Sequence, residues 1–252
     1  MAWQSSGKSN AQLINNLFKN GLIKHERVRD AMLAPNGPIQ VDRGDYCPAN
    51  PYADSPQGIG YAATISAPHM HVHACEYLLP FLRPDSRVLD IGSGSGYLTH
   101  VFANLITGTS TTGTPPSNGT VVGIDHIQGL VDMATINMAK SESGLQLLNS
   151  GKARFVLGDG RKGYPEGGPY DAIHVGAAAA VMHPALIEQL RAPGRMFIPV
   201  ESGGESGMRS FGLGGSQYIW VVDKKEDGTV VKDKIFGVSY VPLTDAPKAR
   251  RE

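Results

Sequence analysis

"LDIGSGSGY", Leu89–Tyr97, leaves the short apolar run "RVLDI" (87–91) and enters a helical pattern over 96–106, with Leu98, Phe102, Leu105 and Ile106 on one side. Glycines between a strand and a helix let the backbone approach a ligand closely, and the helix start offers free N–H groups. Three alternating glycines at this junction say more than a tight turn would. They place a ligand at the carboxyl end of the strand.

Outward from this turn the chain alternates. "TVVGID" (120–125) reads as a strand, 127–141 as a helix, "ARFVLG" (153–158) and "YDAIHVGA" (170–177) as strands, 184–191 as a helix and "RMFIPV" (195–200) as a strand. Such alternation predicts an α/β fold, a mostly parallel, doubly wound sheet with helices on its faces. "YIWVVDKKEDGTVVKDKIFGV" (218–238) breaks the pattern: two strand-like runs meet at Glu226-Asp227-Gly228, which predicts a C-terminal antiparallel hairpin. Upstream, Leu13, Ile14, Leu17 and Phe18 share a helical face, with Asn10 as the expected cap and Gly21 at the end. A second helix is expected over His25–Met32, an ordered irregular segment over 35–60, and a helix over 67–82 with Pro68 in its first turn. The first nine residues are expected to fray. "TGTSTTGTPPSNG" (107–119) reads as a mobile surface loop. The organisation expected is a helical and irregular extension (1–82), a ligand-binding domain (83–245) and a polar tail (246–252).

The 252 residues suffice for one α/β domain with additions, and 41% hydrophobic residues permit a packed core. The formal net charge is zero, which argues against gripping a nucleic-acid backbone. There is no apolar run long enough to span a bilayer and no charged-then-apolar leader, so the expectation is a cytoplasmic monomer that engages neither nucleic acid nor membrane. Cys47 and Cys75 are the only cysteines, too few for a disulfide framework or a zinc set, and the histidines form no metal-site spacing. No metal is expected.

The ligand is narrowed by acids. Gly92 and Gly94 are followed by Tyr97 where a dinucleotide fingerprint would have its third glycine, which weighs against a pyrophosphate. Asp90 sits at the end of the first strand, where it can meet a cationic ligand portion or organise the loop. Asp125 ends the second strand, where a carboxylate can accept both hydroxyls of a ribose. Asp159 follows the third, where it can accept from an adenine amino group. Each alone reads as a turn residue. Together, behind this glycine turn, they point to S-adenosylmethionine and a Rossmann-like methyltransferase, with a nicotinamide-dependent reductase as the rival.

More specific blocks surround the turn: "IGYAATISAPHMH" (59–71), "VVGIDHI" (121–127), "GDGRKGY" (158–164), "YDAIHVGAAA" (170–179) and "VPLTD" (241–245). In this order they resemble the protein-L-isoaspartate (D-aspartate) O-methyltransferases, from about Asn10 to Asp245. The resemblance implies methyl transfer from S-adenosylmethionine to the free carboxyl of L-isoaspartyl (or D-aspartyl) residues in damaged proteins and peptides, leaving S-adenosylhomocysteine. The ester then collapses to a succinimide that reopens partly to aspartate. The resemblance also assigns Ser66 to catalysis, Ile65, Ala67 and His71 to the substrate, and Thr64, His71, Asp90, Gly92, Ser93, Gly94, Asp125, His126, Asp159, Gly160 and Thr244 to the cofactor. The sequence departs from a compact family member in its long 107–119 segment and in the glycine-rich 201–217.

This chemistry changes what Ser66 is for. A carboxylate is already ionised at neutral pH and the leaving group is a neutral thioether, so no general base is needed. The site must orient and desolvate. A hydroxyl that aims one carboxylate oxygen suits that task, and Ser66 lies outside any G-x-S-x-G elbow. A structural alternative is that Ser66 caps the helix beginning near Pro68. Tyr52 and Tyr61 read equally well as groove or core residues, and Cys47 and Cys75 as packing residues.

Overall fold

The computed structural model describes residues 5–33, 41–107, 118–202 and 216–243. Its centre is a seven-stranded sheet: β3 (Arg87–Ile91), β4 (Thr120–Asp125), β5 (Ala153–Leu157), β6 (Tyr170–Val175), β7 (Leu190–Glu201), β8 (Gln217–Lys224) and β9 (Val230–Val238), in the order β5-β4-β3-β6-β7-β8-β9. The first five are parallel and the last two antiparallel. The buried apolar side chains of β3, β4 and β6 explain the parallel core: Val88, Val121 and Ala172 feed one apolar cluster, and Leu89, Ile91, Val122, Ile124, Ile173 and Val175 the other. The chain runs outward from β3 to β4 and β5, then returns to the other side of β3 for β6. That reversal opens a crevice at the strand carboxyl ends, where open α/β sheets bind ligands.

Helices α4 (Tyr97–Thr107) and α5 (Gln128–Met138) follow β3 and β4, and α7 (Pro184–Gln189) precedes β7. The helix expected over 127–141 ends at Met138, and α6 (Glu142–Asn149) starts anew. Ser141 caps the new helix by accepting the Gly144 N–H at 3.1 Å. The polar run Lys140–Gly144 thus acts as punctuation.

The N-terminal part departs further from expectation. Residues 5–9 are pinned rather than frayed: Ser5 is buried, its hydroxyl accepts from Asn20, and the Gly7 N–H donates to the Tyr52 carbonyl. Helix α1 (Asn10–Lys19) is capped by Ser9, not Asn10. The Asn10 side chain instead donates to the carbonyls of Met32, at the end of α2 (Glu26–Leu33), and Val41. Within 57–65 lies a small hairpin, β1 (Gln57–Gly60) and β2 (Ala63–Ile65), which carries the chain into α3 (Pro68–Leu78). The residues of this extension and those of the sheet share one continuous apolar cluster that includes Leu13, Leu17, Val72, Leu78, Phe102 and Val121. Most of 107–119 and of 201–217 falls outside the described residues.

Candidate functional site

Two lobes of one crevice sit at the carboxyl end of the sheet. The larger, a cavity of about 280 Å³, is mostly apolar. Ile91 and Gly92 close β3 beneath it, Ile124 and Asp125 close β4, and Gly160, Gly176 and Ala177 follow β5 and β6. Leu130 of α5 and the segment Val241–Leu243 complete its sides, and the β1–β2 hairpin covers it. The smaller lobe, about 30 Å³, is polar, bordered by Ser66, His71, Asp90, Ser93, Tyr97 and His174 among others. Thr64, Gly92, Gly94 and Gly176 border both lobes, so the two adjoin.

The glycine turn creates that junction. Gly92 (φ 73°) and Gly94 (φ 51°) occupy the left-handed region, where side chains with a Cβ are strained. The turn is anchored to β4: the N–H groups of Gly92 and Ser93 donate to the Ile124 carbonyl, and that of Gly94 to Asp125 Oδ2 at 3.1 Å.

Asp125 is buried and also accepts from the Ile127 N–H at 3.2 Å. Burial pushes its carboxyl above the usual range, and the two N–H donors oppose that. It borders the larger lobe with unused lone pairs, and His126 stands beside it with Nδ1 at 3.5 Å. Asp90 has a different office. Its Oδ2 accepts from Thr99 of α4 at 2.5 Å, and its Oδ1 bonds His174 Nδ1 of β6 at 2.7 Å. Of the two roles open to it, organising the loop describes its bonds, though it also borders the polar lobe.

Asp159 does not line either lobe. Arg161 holds it through both carboxylate oxygens, at 2.8 and 2.9 Å, and this hydrogen-bonded pairing keeps its carboxyl below the usual range. Its neighbour Gly160 is the residue that borders the cavity, and a Cβ there would collide with Ile91. Ala67 is likewise buried away from both lobes, its carbonyl accepting from Met70 and His71. Ile65 packs in the core while touching the polar lobe, and Thr64 spans both. Thr244 lies outside the described residues.

Ser66 is half-buried beside the polar lobe and does not cap α3. The cap position is Ala67, without a side-chain bond, and Asp54 accepts the His69 N–H at 2.9 Å in its place. Near Ser66 is Tyr240, whose hydroxyl burial pushes up to about 12, with Ser66 opposing the shift. His71 is buried, and desolvation first and the cation of Arg43 second hold its pKa well below 6.5. It is a neutral ring at pH 7. The buried hydroxyls of Ser93 and Tyr97, both on this lobe, have no hydrogen-bond partner. Buried polar groups left unpaired in this way fit a polar ligand.

Tyr61 is not a core residue. With Ala62 it forms the two-residue turn of the hairpin, both at positive φ (53° and 56°), and it remains 54% exposed above the larger lobe. Its ring rests on Gly129, where a Cβ would collide with it. Tyr52 supports the scaffold by donating to Asp42 at 2.9 Å. Cys47 and Cys75 are buried, and desolvation raises the Cys75 thiol pKa, so this cysteine packs rather than reacts. Among the described residues no three His, Cys, Asp or Glu side chains gather as a metal site would need. Sequence reading missed Arg43, Tyr240 and the wall Val241–Leu243. Of these, only "VPLTD" carried a signal, through its place in the family pattern.

An apolar lobe with one carboxylate acceptor fits an adenosine-sized group. The adjoining hydroxyls fit a charged amino-acid portion, so the residues present suit S-adenosylmethionine. Comparisons with known proteins agree. Residues 8–248 match the family model for protein-L-isoaspartate(D-aspartate) O-methyltransferase. A Caenorhabditis elegans protein-L-isoaspartate O-methyltransferase is 43% identical over 97% of this chain and 96% of its own. An Arabidopsis thaliana protein-L-isoaspartate O-methyltransferase 2 is 43% identical over 95% and 69%. A solved Plasmodium falciparum protein-L-isoaspartate O-methyltransferase in complex with S-adenosyl-L-homocysteine superposes with a TM-score of 0.79 at 31% identity, covering 94% of this chain and 99% of that one.

Proposed function

From membership in the protein-L-isoaspartate O-methyltransferase family, to which this chain belongs, we propose a division of labour between the two lobes of its crevice. The enzyme moves a methyl group from S-adenosylmethionine to the free carboxyl of L-isoaspartyl residues in proteins and peptides. The proposal extends to D-aspartyl residues. The observation that carries it is the sharing of Thr64, Gly92, Gly94 and Gly176 between an apolar cavity and a polar one. A group held in the first meets a group held in the second at that seam.

When bound, the cofactor supplies an electrophilic methyl on a sulfonium. The residues of the chain supply position. Asp125 accepts the ribose hydroxyls, aided by His126, while Ile91, Ile124 and Leu130 exclude water around the adenosine. Gly160, rather than Asp159, meets the base through its backbone. Ser93 and Tyr97 bind the amino-acid portion with their unpaired hydroxyls. Ser66 donates one hydrogen bond to the recipient carboxylate and aims its second oxygen. His71, neutral and buried, walls the recipient's place without taking a proton. In this division Ser66 and His71 of the N-terminal extension serve the recipient, while the hairpin before them and the sheet domain serve the cofactor.

The enzyme is further proposed to be a cytoplasmic monomer engaging neither nucleic acid nor membrane; its zero net charge supports the second point. Among the described residues no helix is long and apolar enough to cross a membrane. The deciding experiment offers two peptides that differ only in an isoaspartyl or aspartyl linkage, with labelled S-adenosylmethionine. Label is expected on the isoaspartyl peptide alone, and equal labelling of both would refute the recipient assignment.

A further inference from the structure

Arg43 is fully buried, 0% exposed, although it sits in a polar stretch of sequence. Among the described residues it forms no ion pair with a carboxylate within 4 Å. One guanidinium nitrogen donates to the Ser66 carbonyl at 2.8 Å and another to His71 Nδ1 at 3.2 Å. The guanidinium carbon lies 5.3 Å from the centre of the Tyr97 ring, and Nε has no partner. Tyr97, Cys47 and Asp54 act on it only through space. Asp54 is committed to the start of α3 and to His69, with Oδ1 at 2.9 and 2.8 Å from the two His69 nitrogens.

A buried cation held by neutral partners alone is costly, and the protein retains it directly behind the polar lobe. A guanidinium can only donate, so His71 Nδ1 must accept, and the proton of the neutral ring sits on Nε2. Arg43 thereby fixes His71 as a hydrogen-bond donor. Both groups it grips, Ser66 and His71, border that lobe. We propose that Arg43 is a positioning residue for the recipient: it sets the Ser66 peptide and the His71 tautomer, and its charge supplies the positive potential that draws an ionised carboxylate into the polar lobe. Asp54 answers that charge only at a distance, and the carboxylate that would answer it at the lobe is the substrate's own. This deepens the isoaspartyl reading and rests on it.

The test compares wild type, Arg43→Met and Arg43→Lys with the isoaspartyl peptide. Arg43→Met is expected to raise KM for the peptide about tenfold or more, the scale of one lost charge-assisted interaction, with the Kd of S-adenosylhomocysteine changed less than about threefold. Arg43→Lys is expected to recover much of that KM, because it restores the charge without the fork. Unchanged KM in Arg43→Met, or no recovery in Arg43→Lys, overturns the proposal in favour of a packing role. If neither variant folds, wild type decides: a peptide whose isoaspartyl carboxyl is replaced by carboxamide should compete about tenfold more weakly than the carboxylate, and equal competition overturns the proposal. Wild type that leaves the isoaspartyl peptide unmethylated would instead refute the recipient assignment, so the two failures are distinct.

Discussion

The two lobes of the crevice are built on opposite terms. The larger is dry and apolar: its walls are Ile91, Ile124, Leu130 and glycine backbone, with Asp125 the carboxylate among them. The smaller is polar and directional: Ser66, Ser93, Tyr97 and His71 crowd about 30 Å³, and Arg43 stands behind them. The difference teaches that a methyl transfer needing no base divides into holding one partner and aiming the other. Losses in the larger lobe, or at Ser93 and Tyr97, should then appear as cofactor affinity, and losses at Ser66 and His71 as turnover or recipient affinity.

The largest expected effect comes from the aiming side. Ser66→Ala should lower kcat about 100-fold, the scale of a misaimed nucleophile, with the Kd of S-adenosylhomocysteine within about threefold. Because Ser66 does not cap α3, stability should move by no more than about 0.5 kcal/mol. A collapse of melting temperature with no selective loss of turnover would return Ser66 to the scaffold. Asp125→Asn should do the reverse. The amide replaces one acceptor oxygen with a donor, and a charged hydrogen bond contributes about 1.5–3 kcal/mol. Calorimetry with S-adenosylhomocysteine should show affinity weakened about 30-fold while kcat at saturating cofactor holds. If kcat falls as far as affinity, the lobes are not separable.

Gly129→Ala sharpens the comparison at the cover of the larger lobe. The new methyl displaces the Tyr61 ring, so S-adenosylhomocysteine should dissociate about fivefold faster in stopped-flow displacement. Alanine favours helix over glycine, so the melting temperature should not drop. A slower release would mean the hairpin does not retain the cofactor.

A further effect is in titration, where buried histidines and Asp125 oppose each other. His71 and His100 both have folded pKa values depressed by burial, His100 to about 4. Below pH 6.5 the unfolded chain binds protons that these rings refuse, so stability is full above that pH and falls as pH drops toward 4, by up to about 1.4 kcal/mol per unit per ring. Asp125, with its raised pKa, works the other way over the acid range. Urea unfolding across pH 4.5–7 should give a slope that shrinks in His100→Gln and steepens in Asp125→Asn. An unchanged slope in both would deny that either group is buried in its stated form.

What was legible in the sequence follows the same division. The apolar lobe announces itself because strand ends and glycine turns are local: Gly92, Gly94 and Asp125 stand where the alternation puts them. The hairpin over it was missed because its turn, Tyr61-Ala62, lacks the glycine or asparagine that positive φ usually selects. The cost of two such residues, about 1–3 kcal/mol each, is invisible in composition. The polar lobe was legible through family pattern for Ser66 and His71, yet Arg43 and Tyr240 were not, since a buried arginine looks like a surface one until distant segments meet. Asp159 shows the converse: a strand-end acid in the expected position, neutralised by Arg161 two residues on.

One wall of the larger lobe comes from late in the chain. Val241, Pro242 and Leu243 reach it by threading back to Ala178, with the Ala178 N–H donating to the Val241 carbonyl and the Leu243 N–H to Ala178. They come after the last strand of the sheet. The cavity therefore joins the first glycine turn of the sheet to the segment beyond its last strand, and a chain that stops short of Val241 has an open-sided cofactor cavity.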